Sequence, residues 1–196
     1  ATGLVNDETT SVLTGVTTTG GIGTNAGQYV HTASGSDENY DLTFVAGALD
    51  INKAQATVTA NSKTTTYNGL EQNATGFSAT GLVNDETTSV LTGVTTTGGI
   101  GTNAGQYVHT ASGSDENYDL TFVAGALDIN KAQATVTANS KTTTYNGLEQ
   151  NATGFSATGL VNGETTSVLT GVTTTGGTGT NAGQYVHTVS GSDENY

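Results

Sequence analysis

Residues 54–60 read AQATVTA, and their alternation decides the fold class. Period-two spacing puts Ala56, Val58 and Ala60 on one face and Thr57 and Thr59 on the other, the pattern of a strand with one buried face. Val and Thr lose side-chain freedom in a helix and fit a pleated surface, so the stretch is predicted as β.

The same reading extends outward on both sides. SKTTTY (62–67) is a second strand, closed by Asn68-Gly69, a pair that tolerates positive φ. ATGFSATGLV (74–83) carries Phe77 and ends in a turn at Asn-Asp-Glu. TSVLTGVTTT (10–19) is read as an alternating strand with Val12, Thr14 and Val16 on one side. The Gly-rich connection GGIGTNAG (20–27) leads into QYVHTAS (28–34), and GSDEN (35–39) forms a polar turn. YDLTFVAGALDI (40–51) then sets Leu42 and Phe44 on one face, with Leu49 and Ile51 continuing after the break at Gly47. No stretch has apolar residues at helical spacing, so the chain is expected to be all-β.

Ala1 aligns with Ala79 and Ala157, so two complete copies, 1–78 and 79–156, are followed by part of a third. Only three positions differ among the copies: Gly163 for Asp7 and Asp85, Thr178 for Ile22 and Ile100, and Val189 for Ala33 and Ala111. A repeat of that length suits one small β domain rather than a solenoid coil. The expected architecture is a series of elongated β-sandwich-like (Ig-like) modules arranged end to end. INKAQATVTA reads as the seam, because an apolar closing strand passes straight into a fresh alternating strand. Residues 1–51 are then the C-terminal part of a module, 52–129 a complete module, and 130–196 a module without its last strands.

Composition narrows the function classes. Of 196 residues, 28 are Gly, 33% are hydrophobic and 11% charged, with no Cys, Met, Pro or Trp. The formal charge of −13 disfavours nucleic acid and anionic membranes as partners. No apolar run approaches the roughly 18 residues of a membrane span, and no signal peptide is visible. The first residues already lie inside a repeat, so the natural chain is expected to extend further.

INKAQATVTANSKTTTYNG, GLVNDETTSVLTG, NAGQYVHTASGS and NYDLTFVAGALDI, in that order, resemble the MBG/YDG-type repeats of large bacterial surface adhesins, filamentous-haemagglutinin-like or biofilm-forming. Tyr67-Asn68-Gly69 stands where that family often has Tyr-Asp-Gly, which keeps the turn chemistry. The resemblance implies a tandem β-domain used as stalk or spacer in an exported protein, and it implies no catalytic residue.

Several residues have the chemistry of a site. His31, His109 and His187 recur between Val and Thr and read as strand residues on a half-exposed face. Asp37, Glu38 and Asp41, with Asp115, Glu116 and Asp119, are the candidates for Ca²⁺, since hard oxygen ligands at short spacing suit that ion. A solvated turn that keeps edges apart is the competing reading. TTTGGIGTNAG has the glycines of a phosphate loop but no following Lys-Ser/Thr. Asn73-Ala74-Thr75 and Asn151-Ala152-Thr153 fit the N-glycosylation pattern, expected on an exposed turn.

These observations favour a structural role at the bacterial surface or in the extracellular matrix, with no enzyme activity and no cofactor. The partners expected are neighbouring repeats, other adhesin chains or extracellular polysaccharide. The rival reading is a set of weak glycan- or Ca²⁺-binding modules acting through avidity, or repeats that form matrix fibres.

Overall fold

A computed structural model describes all residues, 1–196. It is all-β, with three one-turn 3-10 helices at Thr10–Val12, Thr88–Val90 and Thr166–Val168. These turns correct the reading of TSVLTGVTTT as one strand, because the strand starts only at Val16, Val94 and Val172. Local hydrogen bonds win over the ladder. Thr9 Oγ1 lies 2.7 Å from Ser11 Oγ, and the Leu13 N–H donates to the Thr10 carbonyl at 3.2 Å. In the later copies the turn carries Leu91 and Leu169 inward, 2% and 3% exposed.

The opening strand Ala54–Ala60 lies between Tyr118–Val123 and Phe77–Thr80 in a three-stranded sheet. Ala56, Val58 and Ala60 are buried, as the alternation requires. The run after the polar turn is two strands in the second copy, Tyr118–Val123 and Gly125–Asn130, but only Gly47–Ile51 in the first.

The chain divides into two compact units. One comprises Ala1–Thr57, Ala79–Val94 and Gly113–Thr121, the other Val58–Ser78, Thr95–Ser112 and Phe122–Tyr196. The first contains an antiparallel sheet in the order Val16–Gly20, Gly27–Gly35, Gly47–Ile51, with Tyr29 opposite Leu49. Gly47–Ile51 is an edge here, and no residue before Ala56 is buried.

In the second unit Gly125–Asn130 is a central strand. Lys63–Thr66 runs parallel on one side, with Leu127 opposite Lys63. Residues 105–109 run antiparallel on the other, with Leu127 opposite Tyr107. Gly125 is required at this crossing, because a Cβ there would lie 2.2 Å from the Ala60 carbonyl oxygen. Leu127 and Ile129, 0% and 3% exposed, pack with Tyr67, Ala74 and Ala132. Each contributes about 2 kcal/mol by area removed from water.

Asn6-Asp7 and Asn84-Asp85 both have φ between 52° and 60°, the paired left-handed geometry of a type I′ turn. The third copy has Asn162-Gly163 there, with φ of 50° and 70°. The replacement of Asp by Gly163 therefore falls where glycine relieves the backbone. Ile22 and Ile100 are exposed, which explains why Thr178 is tolerated.

Candidate functional site

The chemistry that stands out is a set of hydrogen bonds longer in sequence than one repeat. It starts at the polar turn. Asp115 Oδ1 accepts the N–H groups of Asn117 and Tyr118 at 2.8 and 3.1 Å, folding the turn on itself. Lys53 Nζ donates to the Asp115 carbonyl at 2.6 Å, and the Ala54 N–H donates to the Asn117 carbonyl at 2.9 Å. The seam residues thus grip the turn.

The fixed turn aims Asn117 at a neighbour. Its Oδ1 accepts the Ala26 N–H at 2.7 Å, and its Nδ2 donates to Asn25 Oδ1 at 3.3 Å. The same pattern returns in the next copy. Lys131 Nζ donates to the Asp193 carbonyl, Asn195 Oδ1 accepts the Ala104 N–H at 2.8 Å, and Asn195 Nδ2 reaches Asn103 Oδ1 at 3.3 Å. The two Asn-to-alanine contacts each span 91 residues, more than one full repeat. They connect different repeats wherever the repeat is taken to begin.

A second set surrounds the type I′ turns. Each turn leaves a glutamate, Glu8, Glu86 or Glu164, that accepts the hydroxyl of Tyr40, Tyr118 or Tyr196. Each hydroxyl also accepts a backbone N–H, from Val5, Val83 and Val161 at 3.1, 2.9 and 2.9 Å. Glu164 takes a further hydroxyl from Tyr67, across 97 residues. Asn162 Nδ2 adds a bond to the Gly69 carbonyl at 3.1 Å. Donation to Glu164, with burial adding to it, pushes the Tyr67 phenol up to about 12. Tyr40 and Tyr118 are raised by the bond to their own glutamate, and Tyr196 is raised by burial first and then by Glu164.

Of the histidines, His187 is the half-exposed strand residue expected, while His109 and His31 depart from it in opposite directions. His109 is 1% exposed, and its Nδ1 lies 2.7 Å from the Asn61 carbonyl oxygen. Gly99, at φ 64°, lets the chain cross over the ring, where a Cβ would come within 2.9 Å of His109 Cβ. His187 keeps the equivalent bond to Asn139 at 2.8 Å, whereas His31 is exposed. One sequence thus occupies three environments.

Of the acidic candidates, Asp37 Oδ1 accepts the Asn39 N–H at 2.9 Å and Asp119 Oδ2 accepts from Gln55 at 2.9 Å. Asp41 and Glu116 are exposed, Glu38 likewise. No three His, Cys, Asp or Glu side chains converge as a metal set. Asn73 and Asn151 are exposed, but they lie in the two-residue strands Gln72–Asn73 and Gln150–Asn151 rather than in a turn. Gln72 and Asn73 pair with Gly101 and Ile100, so part of the Gly-rich connection is strand.

Sequence patterns do not single out the joint residues Asn117 and Asn195, or Tyr67 with Glu164. Their only signal is recurrence at fixed places in a polar turn and beside a Tyr-Asn-Gly. Compared with known protein families, residues 1–50, 56–128 and 134–196 each match the MBG domain (YGX type). The chain belongs to the MBG family. No curated protein and no solved structure matches this MBG chain. The family is a structural domain type, and the joints of its repeats are the feature that geometry singles out here.

Proposed function

We propose that this MBG chain is stalk or spacer in a secreted or surface-anchored bacterial adhesin. Its repeats stand end to end and hold a distal binding region away from the cell, supporting adhesion or biofilm formation. One observation carries the reading. The contacts between repeats, Asn117 to Ala26 and Asn195 to Ala104, use the same donors and acceptors in successive copies.

A joint specified this way repeats its geometry each time a copy is added, so added copies add length. The seam Ile51-Asn52-Lys53-Ala54 has no Gly/Ser padding, and Lys53 and Ala54 are both hydrogen-bonded to the turn. The carboxylates of Glu86, Glu164, Asp115 and Asp193 and the phenols of Tyr67, Tyr118 and Tyr196 are committed to turns and joints, which suits a mechanical role better than a catalytic one. The −13 charge keeps a surface presented in many copies soluble and self-repelling. In this reading the module is residues 52–129.

Scattering from arrays of two, three and four repeats tests the proposal. The longest strands have nine residues, so the maximum dimension should grow linearly, by about 30 Å per added repeat at ~3.3 Å per residue. Growth with a power near one half, as for a flexible string, would remove the stalk reading.

A further inference from the structure

Within residues 52–130 the opening two strands pair with the closing two, and they run the same way. Lys63–Thr66 lies parallel to Gly125–Asn130, with Lys63 opposite Leu127 and Thr66 opposite Asn130. Two bonds extend that pairing. The Ala126 N–H donates to Ser62 Oγ at 3.1 Å, and the Tyr67 N–H donates to the Asn130 carbonyl at 2.8 Å. Upstream, Ala54–Ala60 lies beside Tyr118–Val123. Both of those strands begin at one contact, where the Ala54 N–H meets the Asn117 carbonyl and Gln55 Nε2 reaches Asp119 Oδ2, each at 2.9 Å, so they too are parallel. Between the two ladders the Asn61 carbonyl is taken by the buried ring of His109. A Cβ at Gly125 would come within 2.6 Å of that same carbonyl oxygen, so the segments stay close through the break.

Direction decides how such a pair answers tension. Pulled along the chain, the opening strands are drawn toward their N-terminal ends and the closing strands toward their C-terminal ends. In an antiparallel pair those ends lie together, and the ladder peels one bond at a time. In a parallel pair they lie opposite, so the bonds are loaded together, in shear. Parallel pairing is slightly weaker per residue at equilibrium, so what it adds here is resistance to pulling rather than stability.

We infer that residues 53–67 and 115–130 form a clamp that bears tension along the chain, a function beyond spacing. Its load is the one the stalk reading implies, but its geometry does not depend on that reading. The side chains reinforce it, since Lys53 Nζ ties the start of the opening segment to the Asp115 carbonyl at 2.6 Å. The clamp also connects onward. Asn130 is followed within two residues by Ala132, the counterpart of Ala54, whose N–H donates to the Asn195 carbonyl at 2.8 Å. Tension that leaves one clamp thus enters the start of the next, and the array carries its load in series.

Single-molecule pulling on the 196-residue chain tests the inference, and the lack of Cys lets paired substitutions serve as unique handles. Asn52→Cys with Asn130→Cys loads the clamp in shear. Asn52→Cys with Glu116→Cys pulls on the same bonds from adjoining ends and peels them. All three side chains are exposed. The rupture force should be several-fold higher for the first pair than for the second. Gln55→Ala with Ser62→Ala should lower the shear force, because both side chains tie the parallel segments. Thr97→Val, which loses only the bond to Thr110 in the adjoining ladder, should leave it unchanged. Equal forces in the two geometries overturn the clamp, as does a shear force that ignores Gln55→Ala with Ser62→Ala. Neither result touches the linear growth of the arrays on which the stalk rests, so the two readings fail separately.

Discussion

The rings of Tyr67 and Tyr196 meet edge to face, with centroids 5.5 Å apart and planes at 81°, and both hydroxyls donate to the Glu164 carboxylate. Two phenols from distant parts of the chain share one carboxylate, and it can satisfy both only while both stay protonated. The pair sits among Leu127, Ile129 and Ala132, so apolar packing and polar joint coincide.

That arrangement fixes a pH dependence. Tyr67 is raised from 10.0 to about 12 in the folded chain, so folding favours its protonated form. Its stabilisation is fully present below about pH 10 and is lost as pH rises through about 12. Tyr40, Tyr118 and Tyr196 are raised too and act in the same direction. Urea midpoints measured from about pH 8 to about pH 12 should be flat and then fall above about pH 10. Tyr67→Phe should lower the plateau and soften the fall. An unchanged slope in that variant would mean that the Glu164 cluster does not control the alkaline transition.

His109 and His31 test how much the environment, rather than the sequence, determines a residue's worth. His109→Phe deletes a buried bond to the Asn61 carbonyl and should cost about 1–3 kcal/mol. His31→Phe, at an exposed position, should stay within about 0.5 kcal/mol. Equal effects at the two sites would contradict the burial difference.

The module boundary is open to a direct comparison of fragments. Twelve of the buried side chains fall within 52–129, and none falls before Ala56. The fragment 52–130 should therefore unfold cooperatively as a monomer, and the fragment 1–78, of nearly the same length and composition, should not. A stable 1–78 with an unfolded 52–130 would place the seam elsewhere.

Much of this fold was legible in short patterns. AQATVTA declared its buried face, Leu49 and Ile51 marked the face that Leu127 and Ile129 bury in the second copy, and Asn-Asp-Glu marked a turn. TSVLTGVTTT misled because Thr9 and Ser11 bond locally and fold a 3-10 turn that period-two counting does not register. The joints were hidden for a different reason. Asn117 and Ala26 lie 91 residues apart, and nothing in either short neighbourhood says that an exposed-looking asparagine will cap a backbone N–H of another repeat. Identical letters also concealed different roles, since His31, His109 and His187 differ only in what covers them.

The joint hydrogen bonds are themselves measurable one at a time. Asn117→Ala and Asn195→Ala should each leave a backbone N–H, of Ala26 or Ala104, without its acceptor, costing about 1 kcal/mol. Amide exchange at that alanine should accelerate roughly fivefold, as a loss of about 1 kcal/mol requires. Asn39→Ala is the control, because no hydrogen bond involves that side chain, and it should leave exchange at both alanines unchanged.

The central claim is that these joints hold the repeats in a fixed, extended order, and small-angle scattering of the dilute, monomeric chain tests it most directly. A compact globule of this length has a radius of gyration of about 16 Å. The stalk requires a value well above that, with the cross-sectional profile of a rod, and a measurable loss of rod character in the Asn117→Ala, Asn195→Ala double variant. A radius no larger than the globule's, or a profile indifferent to both substitutions, would contradict it.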